Sequence, residues 1–168
     1  WIVFNGEIYN HHDLRTELQG AGQAPAWRGH SDTETLVAGF DAWGVEPTIS
    51  RAAGMFAFAL WDRQTRSLVL GRDRMGEKPL YYGWQGEGAG AAFLFGSELR
   101  ALRAHPACGA ETDRGAVVQF MRHGHVGEDH TIYRGLHRLP PGCLAEVSFA
   151  RPEVAITRYW SAVTAAHQ

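Results

Sequence analysis

Cysteine is scarce in this chain: Cys108 and Cys143 are the only two in 168 residues. Two thiols so far apart exclude a disulfide framework and the paired spacing of a zinc site. A reduced, cytoplasmic setting is the expectation. Long apolar runs are missing too. None approaches the roughly 20 residues that span a bilayer, and no secretory signal opens the chain. An excess of basic charge is also lacking. The net charge is -2 and the pI near 6.5, which argues against a dedicated nucleic-acid binder. There is no internal repeat and no initiator methionine. The missing methionine suggests that the N-terminus was cut or that upstream sequence is absent.

What is present suits one globular domain with a proper core: 45% of the residues are hydrophobic and 11% aromatic. Ile2-Val3-Phe4 reads as a short strand that ends at the turn signal Asn5-Gly6. Asn10 to Asp13 resembles a capping box, with Leu14 and Leu18 on one helical face and Gly20 and Gly22 as a stop. Ser31-Asp32-Thr33-Glu34 is a clearer helix start. Its apolar stripe is Leu36, Val37, Phe40 and Trp43, and Gly44 ends it. Met55 to Trp61 is continuously apolar, as in a strand covered on both faces. Ser67 to Leu70 returns as its hairpin partner. Leu80 to Trp84 and Ala92 to Phe95 make a second pair around the Gly-rich loop 86–90. Asp113 to Met121 reads as a helix and Cys143 to Phe149 as a last strand. Ser161 to Gln168 is small and polar, as in a linker. Early helices followed by antiparallel strands indicate a layered α+β domain.

Four stretches carry candidate chemistry. In Asn5-Gly6-Glu7 a glycine after a strand lets a ligand approach the backbone. A side-chain amide beside a backbone N–H can form an oxyanion hole, and Glu7 can hold an ammonium group. Spacing alone favours a simple tight turn. Asp32, in the Ser31-Asp32-Thr33-Glu34 stretch, can bind an amine at a helix start, or it can merely cap the helix. The run from Gly71 to Leu80 is dense in charge between strands that look buried, so some of its charges are expected to pair with each other. Ser97 to Leu102 can be read as an ordinary helix start.

Taken in order, the stretches NGEIYN, SDTE, GMFAFALWD, GRDRMGEKPLYYG, FGSELRAL, IYRGLHRLPPG and RYW resemble the glutamine amidotransferase domain of asparagine synthases. The resemblance covers Trp1 to about Trp160. It implies an N-terminal-nucleophile hydrolase fold, a four-layer αββα sandwich. It also implies a mechanism in which a first-residue cysteine, with its own α-amine as base, attacks the glutamine side-chain amide. Ammonia and glutamate result. The ammonia passes to an ATP-pyrophosphatase-type synthetase domain that converts aspartate to asparagine, with AMP and pyrophosphate released.

By the same resemblance Asn5 and Gly6 match the oxyanion-hole pair. Glu7 and Asp32 match the residues that hold the glutamine α-amino end. Arg72, Asp73 and Gly76 match a loop near the pocket, with a structural role expected. Residues 1–160 then form the amidotransferase domain and 161–168 begin the linker. No cofactor or metal is expected in this domain, and ATP and magnesium belong to the synthetase domain. The expected partners are glutamine and that synthetase domain, with no nucleic acid and no membrane; a homodimer is left open.

The chain departs from the family at residue 1, which is Trp1 where the family has cysteine. The fold is therefore expected to be incomplete at the N-terminus, with the nucleophile and a carboxylate-gripping arginine upstream. The acceptor stays open between aspartate and a sugar or peptide. The rival reading is a non-catalytic amidotransferase-like scaffold, as in β-lactam synthetase relatives.

Overall fold

In the computed structural model, which describes residues 1–109, 111–127, 130–148 and 150–166, strand β1 covers Ile2–Ile8. It does not stop at Asn5-Gly6. Asn5 pairs with Ala57, Gly6 with Phe56 and Glu7 with Met55 in a ladder that continues to Ile8 and Gly54. A turn would need positive φ, and Gly6 does not have it. Close approach explains the glycine instead. A Cβ there would sit 2.2 Å from the Met55 carbonyl oxygen and 2.6 Å from Phe56 Cα.

Two units divide the chain, residues 1–78 with 141–168, and residues 79–140. The first holds a five-stranded antiparallel sheet in the order β1-β2-β3-β7-β8. Its other strands are β2 (Gly54–Asp62), β3 (Ser67–Arg72), β7 (Cys143–Ser148) and β8 (Arg151–Arg158). The apolar run in β2 lies central in this sheet, and Phe56, Ala57, Phe58 and Ala59 are all buried. Consecutive burial means that both faces of the strand are covered, as its composition predicted. β8 was not foreseen. It is a mostly exposed edge strand whose polar residues hide its periodicity. Phe149, assigned to the last strand from sequence, lies outside the described residues.

Three helices cover one sheet face: α1 (His11–Gly20), α2 (Asp32–Trp43) and α3 (Val45–Arg51). Leu14, Leu36 and Ile49 from them meet Ile8, Phe56, Phe58 and Leu144 in one core. Val37 falls off this stripe and is 43% exposed. Asn10 precedes α1 but makes no side-chain cap. Its amide instead donates to the Arg51 carbonyl and accepts the Ala53 N–H, so it ties α1 to the α3–β2 junction. α2 does have its cap: Ser31 Oγ accepts the Glu34 N–H at 3.4 Å.

The second unit holds β4 (Tyr81–Gln85), β5 (Ala92–Gly96) and the short β6 (His137–Arg138) in the order β5-β4-β6. It adds α4 (Leu99–Arg103) and α5 (Arg114–His123), whose N-cap Asp113 accepts from Gly115 and Ala116. Leu94, Leu102 and Leu136 form its core, with Cys108 packed against them. In the first unit, the expected linker contains a short helix, α6 (Ala162–Ala166); His167 and Gln168 lie outside the described residues.

Candidate functional site

β1 is an edge strand, and its outer edge is where the site residues meet. The hydrogen-bonding phase of the ladder follows from its ends. Trp1 and Trp61 exchange bonds, and the Tyr9 N–H donates to the Ala53 carbonyl. Hydrogen-bonded pairs alternate along an antiparallel ladder, so odd-numbered residues of β1 bond to β2. The N–H groups of Phe4, Gly6 and Ile8 therefore point the other way, off the sheet edge. Side chains alternate on a second axis. Phe4 and Ile8 pack into the helix-covered core, whereas Val3, Asn5 and Glu7 share the opposite, exposed face.

Asp32 joins this edge from α2. Its Oδ2 accepts the Ile8 N–H at 2.9 Å, and its Oδ1 accepts the N–H of Thr33 at 2.7 Å. Asp32 thus stands at a helix start, with its carboxylate one residue along the strand from Glu7. Gly6 and Ile8 present N–H groups about 7 Å apart on the same edge.

The loop after β3 bonds to β2 on the side away from β1. Asp73 is fully buried, and its carboxylate accepts N–H groups from Phe56, Met75, Glu77 and Lys78 at 2.9–3.2 Å. Its own N–H donates to the Phe56 carbonyl at 2.8 Å. Phe56 is the residue across from Gly6, so Asp73 grips the strand behind the site. Arg72 is 1% exposed and donates to the carbonyls of Lys78 (2.8 Å) and Gly76 (2.5 Å). Gly76 has φ of +70°, and a Cβ there would meet Arg72 Nη2 and Pro141 at 2.8 Å. The charge run is therefore satisfied largely by backbone groups, where the sequence suggested charge pairing. The expected structural role of Arg72, Asp73 and Gly76 matches this geometry.

Two further groups sit in the field of the site, and sequence reasoning missed both. The phenol of Tyr9, a residue that is 58% exposed, is pushed up by partial desolvation and then by the carboxylates of Glu77, Glu7 and Asp73. His11 is held below its usual value, first by burial and then by His12, against the pull of Asp32 and Glu7. Its Nδ1 is buried with no hydrogen-bond partner among the described residues. Cys143 is buried and its thiol is pushed up by desolvation. Cys108 lies in the other unit.

The family model of the glutamine amidotransferase domain matches residues 1–160. The chain belongs to that family. It is 35% identical over 167 residues to asparagine synthetase (glutamine-hydrolyzing) 3 of Bacillus subtilis (strain 168), covering 99% of this chain and 26% of that protein. It is 38% identical over 161 residues to a putative asparagine synthetase (glutamine-hydrolyzing) of Mycobacterium tuberculosis (strain ATCC 25618 / H37Rv), covering 95% and 24%. The amidotransferase chain thus spans about a quarter of the length of these curated relatives. Among solved structures it resembles glutamine phosphoribosylpyrophosphate amidotransferase from B. subtilis complexed with ADP and GMP, with a TM-score of 0.61 at 18% identity over 95% of this chain and 29% of that one. It also resembles an allosteric regulatory enzyme of purine biosynthesis, with a TM-score of 0.64 at 19% identity over 95% and 28%. These likenesses establish the fold as α+β with antiparallel sheets, of the N-terminal-nucleophile type found in class II glutamine amidotransferases. Among the described residues no helix is long and apolar enough to cross a membrane.

Proposed function

We propose that residues 1–160 are the glutamine-hydrolysing domain of an asparagine synthase-like amide ligase that works in the cytoplasm. In this reading the domain binds glutamine and releases ammonia to an ATP- and magnesium-using synthetase domain of the same protein. Aspartate is the acceptor. The observation that carries the proposal is the tie between Asp32 and the Ile8 N–H, which sets a carboxylate beside Glu7 on the open edge of β1.

The chemistry follows from that edge. Glu7 and Asp32 offer negative charge to the substrate ammonium at one end. Asn5, on the Glu7 face of the strand, and the outward N–H of Gly6 offer donors at the other. A tetrahedral intermediate forms when a thiolate adds to the amide carbonyl, and its oxyanion is stabilised by such fixed donors. Collapse of that intermediate breaks the C–N bond and expels ammonia. Water then hydrolyses the thioester to glutamate.

Neither thiol in residues 1–168 suits the attack. Cys143 is buried in β7 with its ionisation suppressed, and Cys108 is packed against a core remote in sequence from β1. These residues by themselves are therefore expected to leave glutamine intact.

The test uses the full-length protein with aspartate, ATP and glutamine labelled with 15N at the amide. The expected result is glutamate together with 15N-amide asparagine, AMP and pyrophosphate. Glutamate release without labelled asparagine would move the acceptor to another class. Absence of glutamate release would support a scaffold.

A further inference from the structure

Arg15 follows Leu14 in α1 and is 9% exposed. A guanidinium does not shed its charge in a protein, so its burial requires partners. Nε donates to Thr35 Oγ1 at 2.8 Å. Nη1 donates to the Gly29 carbonyl at 2.9 Å and Nη2 to the Ser31 carbonyl at 3.0 Å. Nη2 also lies 3.4 Å from Glu34 Oε2. The Trp27 ring covers the group, with the guanidinium carbon 4.2 Å from its centroid. Glu34 completes the clamp, because its carboxylate accepts the N–H groups of Arg28 at 2.7 Å and Gly29 at 3.1 Å. The segment 28–31 is thus gripped through both its N–H and C=O groups. It leads directly into Asp32.

We propose that Arg15 is a positioning residue for glutamine capture, acting through Asp32. By fixing segment 28–31 and Thr35, Arg15 sets the first turn of α2 against the end of β1. That placement keeps Asp32 Oδ2 on the Ile8 N–H and its carboxylate beside Glu7. Arg15 itself need not meet the substrate. Lysine cannot replace it, since one ammonium cannot serve three acceptors in the fork geometry of a guanidinium. The proposal rests on the reading in which Asp32 holds the glutamine ammonium.

The test is a double-mutant cycle in the full-length protein, with glutamine and with free ammonia as nitrogen source. Arg15→Lys is expected to raise the glutamine KM about 10-fold, because small displacements of a binding group are costly. Turnover at saturating glutamine and ammonia-dependent activity should stay within about threefold. The double variant with Asp32→Asn should show no more KM loss than Asp32→Asn alone, since the two act as one unit. If Arg15→Lys fails to fold, Thr35→Val, which removes one bond of the clamp, takes its place with an expected rise of about threefold. An unchanged KM in the variant that folds overturns the proposal. So does an equal loss with both nitrogen sources, or losses that multiply in the double variant. If Asp32→Asn alone leaves KM unchanged, the glutamine-binding assignment of Asp32 fails, and the Arg15 proposal fails with it. If Asp32→Asn raises KM and Arg15→Lys does not, only the Arg15 proposal fails.

Discussion

Asp32 Oδ2 accepts the Ile8 N–H at 2.9 Å. This bond links the first turn of α2 to the open edge of β1. It also sets Asp32 at the strand residue next to Glu7, although the two acids are 25 residues apart in sequence.

Asn5 should act on rate rather than binding. It shares the exposed face of β1 with Glu7, next to the outward N–H of Gly6. Asn5→Ala in the full-length protein is expected to lower glutaminase kcat on the order of 100-fold, with the glutamine KM within a few-fold. Steady-state glutamate release measures both. A raised KM at normal kcat would assign Asn5 to binding.

Asp73 should matter for stability. Asp73→Ala leaves the N–H groups of Phe56, Met75, Glu77 and Lys78 without their acceptor. A loss on the order of 3 kcal/mol or more is expected. Chemical denaturation of the full-length protein, followed by a probe in this domain, reports it. A loss under about 1 kcal/mol would mean that water or another group takes over the acceptor role.

Cys143 should be inert while the domain is folded. Burial pushes its thiol above the ordinary value of 9.0, so at pH 8 the folded state holds less thiolate than the unfolded chain. The folded thiol ionises later than the unfolded one. The stability this lends is complete below the unfolded pKa and is lost as pH rises through it toward the folded value. A brief iodoacetamide pulse at pH 8, read peptide by peptide by mass spectrometry, should label the partly exposed Cys108 and spare Cys143. Labelling of native Cys143 at the rate of Cys108 would contradict this.

Much of this arrangement is legible in the sequence. Strong periodic segments declare themselves: the run in β2, the Ser31 cap of α2 and the helix after Asp113 all lie where composition places them. Asn5-Gly6 misleads because the dipeptide signals a turn only if φ turns positive, and pairing to β2 keeps it extended. Asn10 misleads because its amide has better partners 41 and 43 residues away than the helix it precedes. The strand β8 escapes because an edge strand needs no apolar face of its own. Arg15 is missed for a related reason. A lone arginine between Leu14 and Leu18 reads as a solvated helix residue, and its clamp exists only once segment 28–31 folds over it.

The most direct test of the central claim is a comparison of Asp32→Asn with the unaltered full-length protein, using glutamine and ammonia in turn. Asparagine keeps an acceptor for the Ile8 N–H but removes the negative charge. If the edge of β1 captures glutamine by its ammonium, the glutamine KM should rise by about 10-fold or more while ammonia-dependent synthesis stays unchanged. Equal loss with both nitrogen sources would show that Asp32 only holds α2 to β1, and the account of glutamine capture would be wrong.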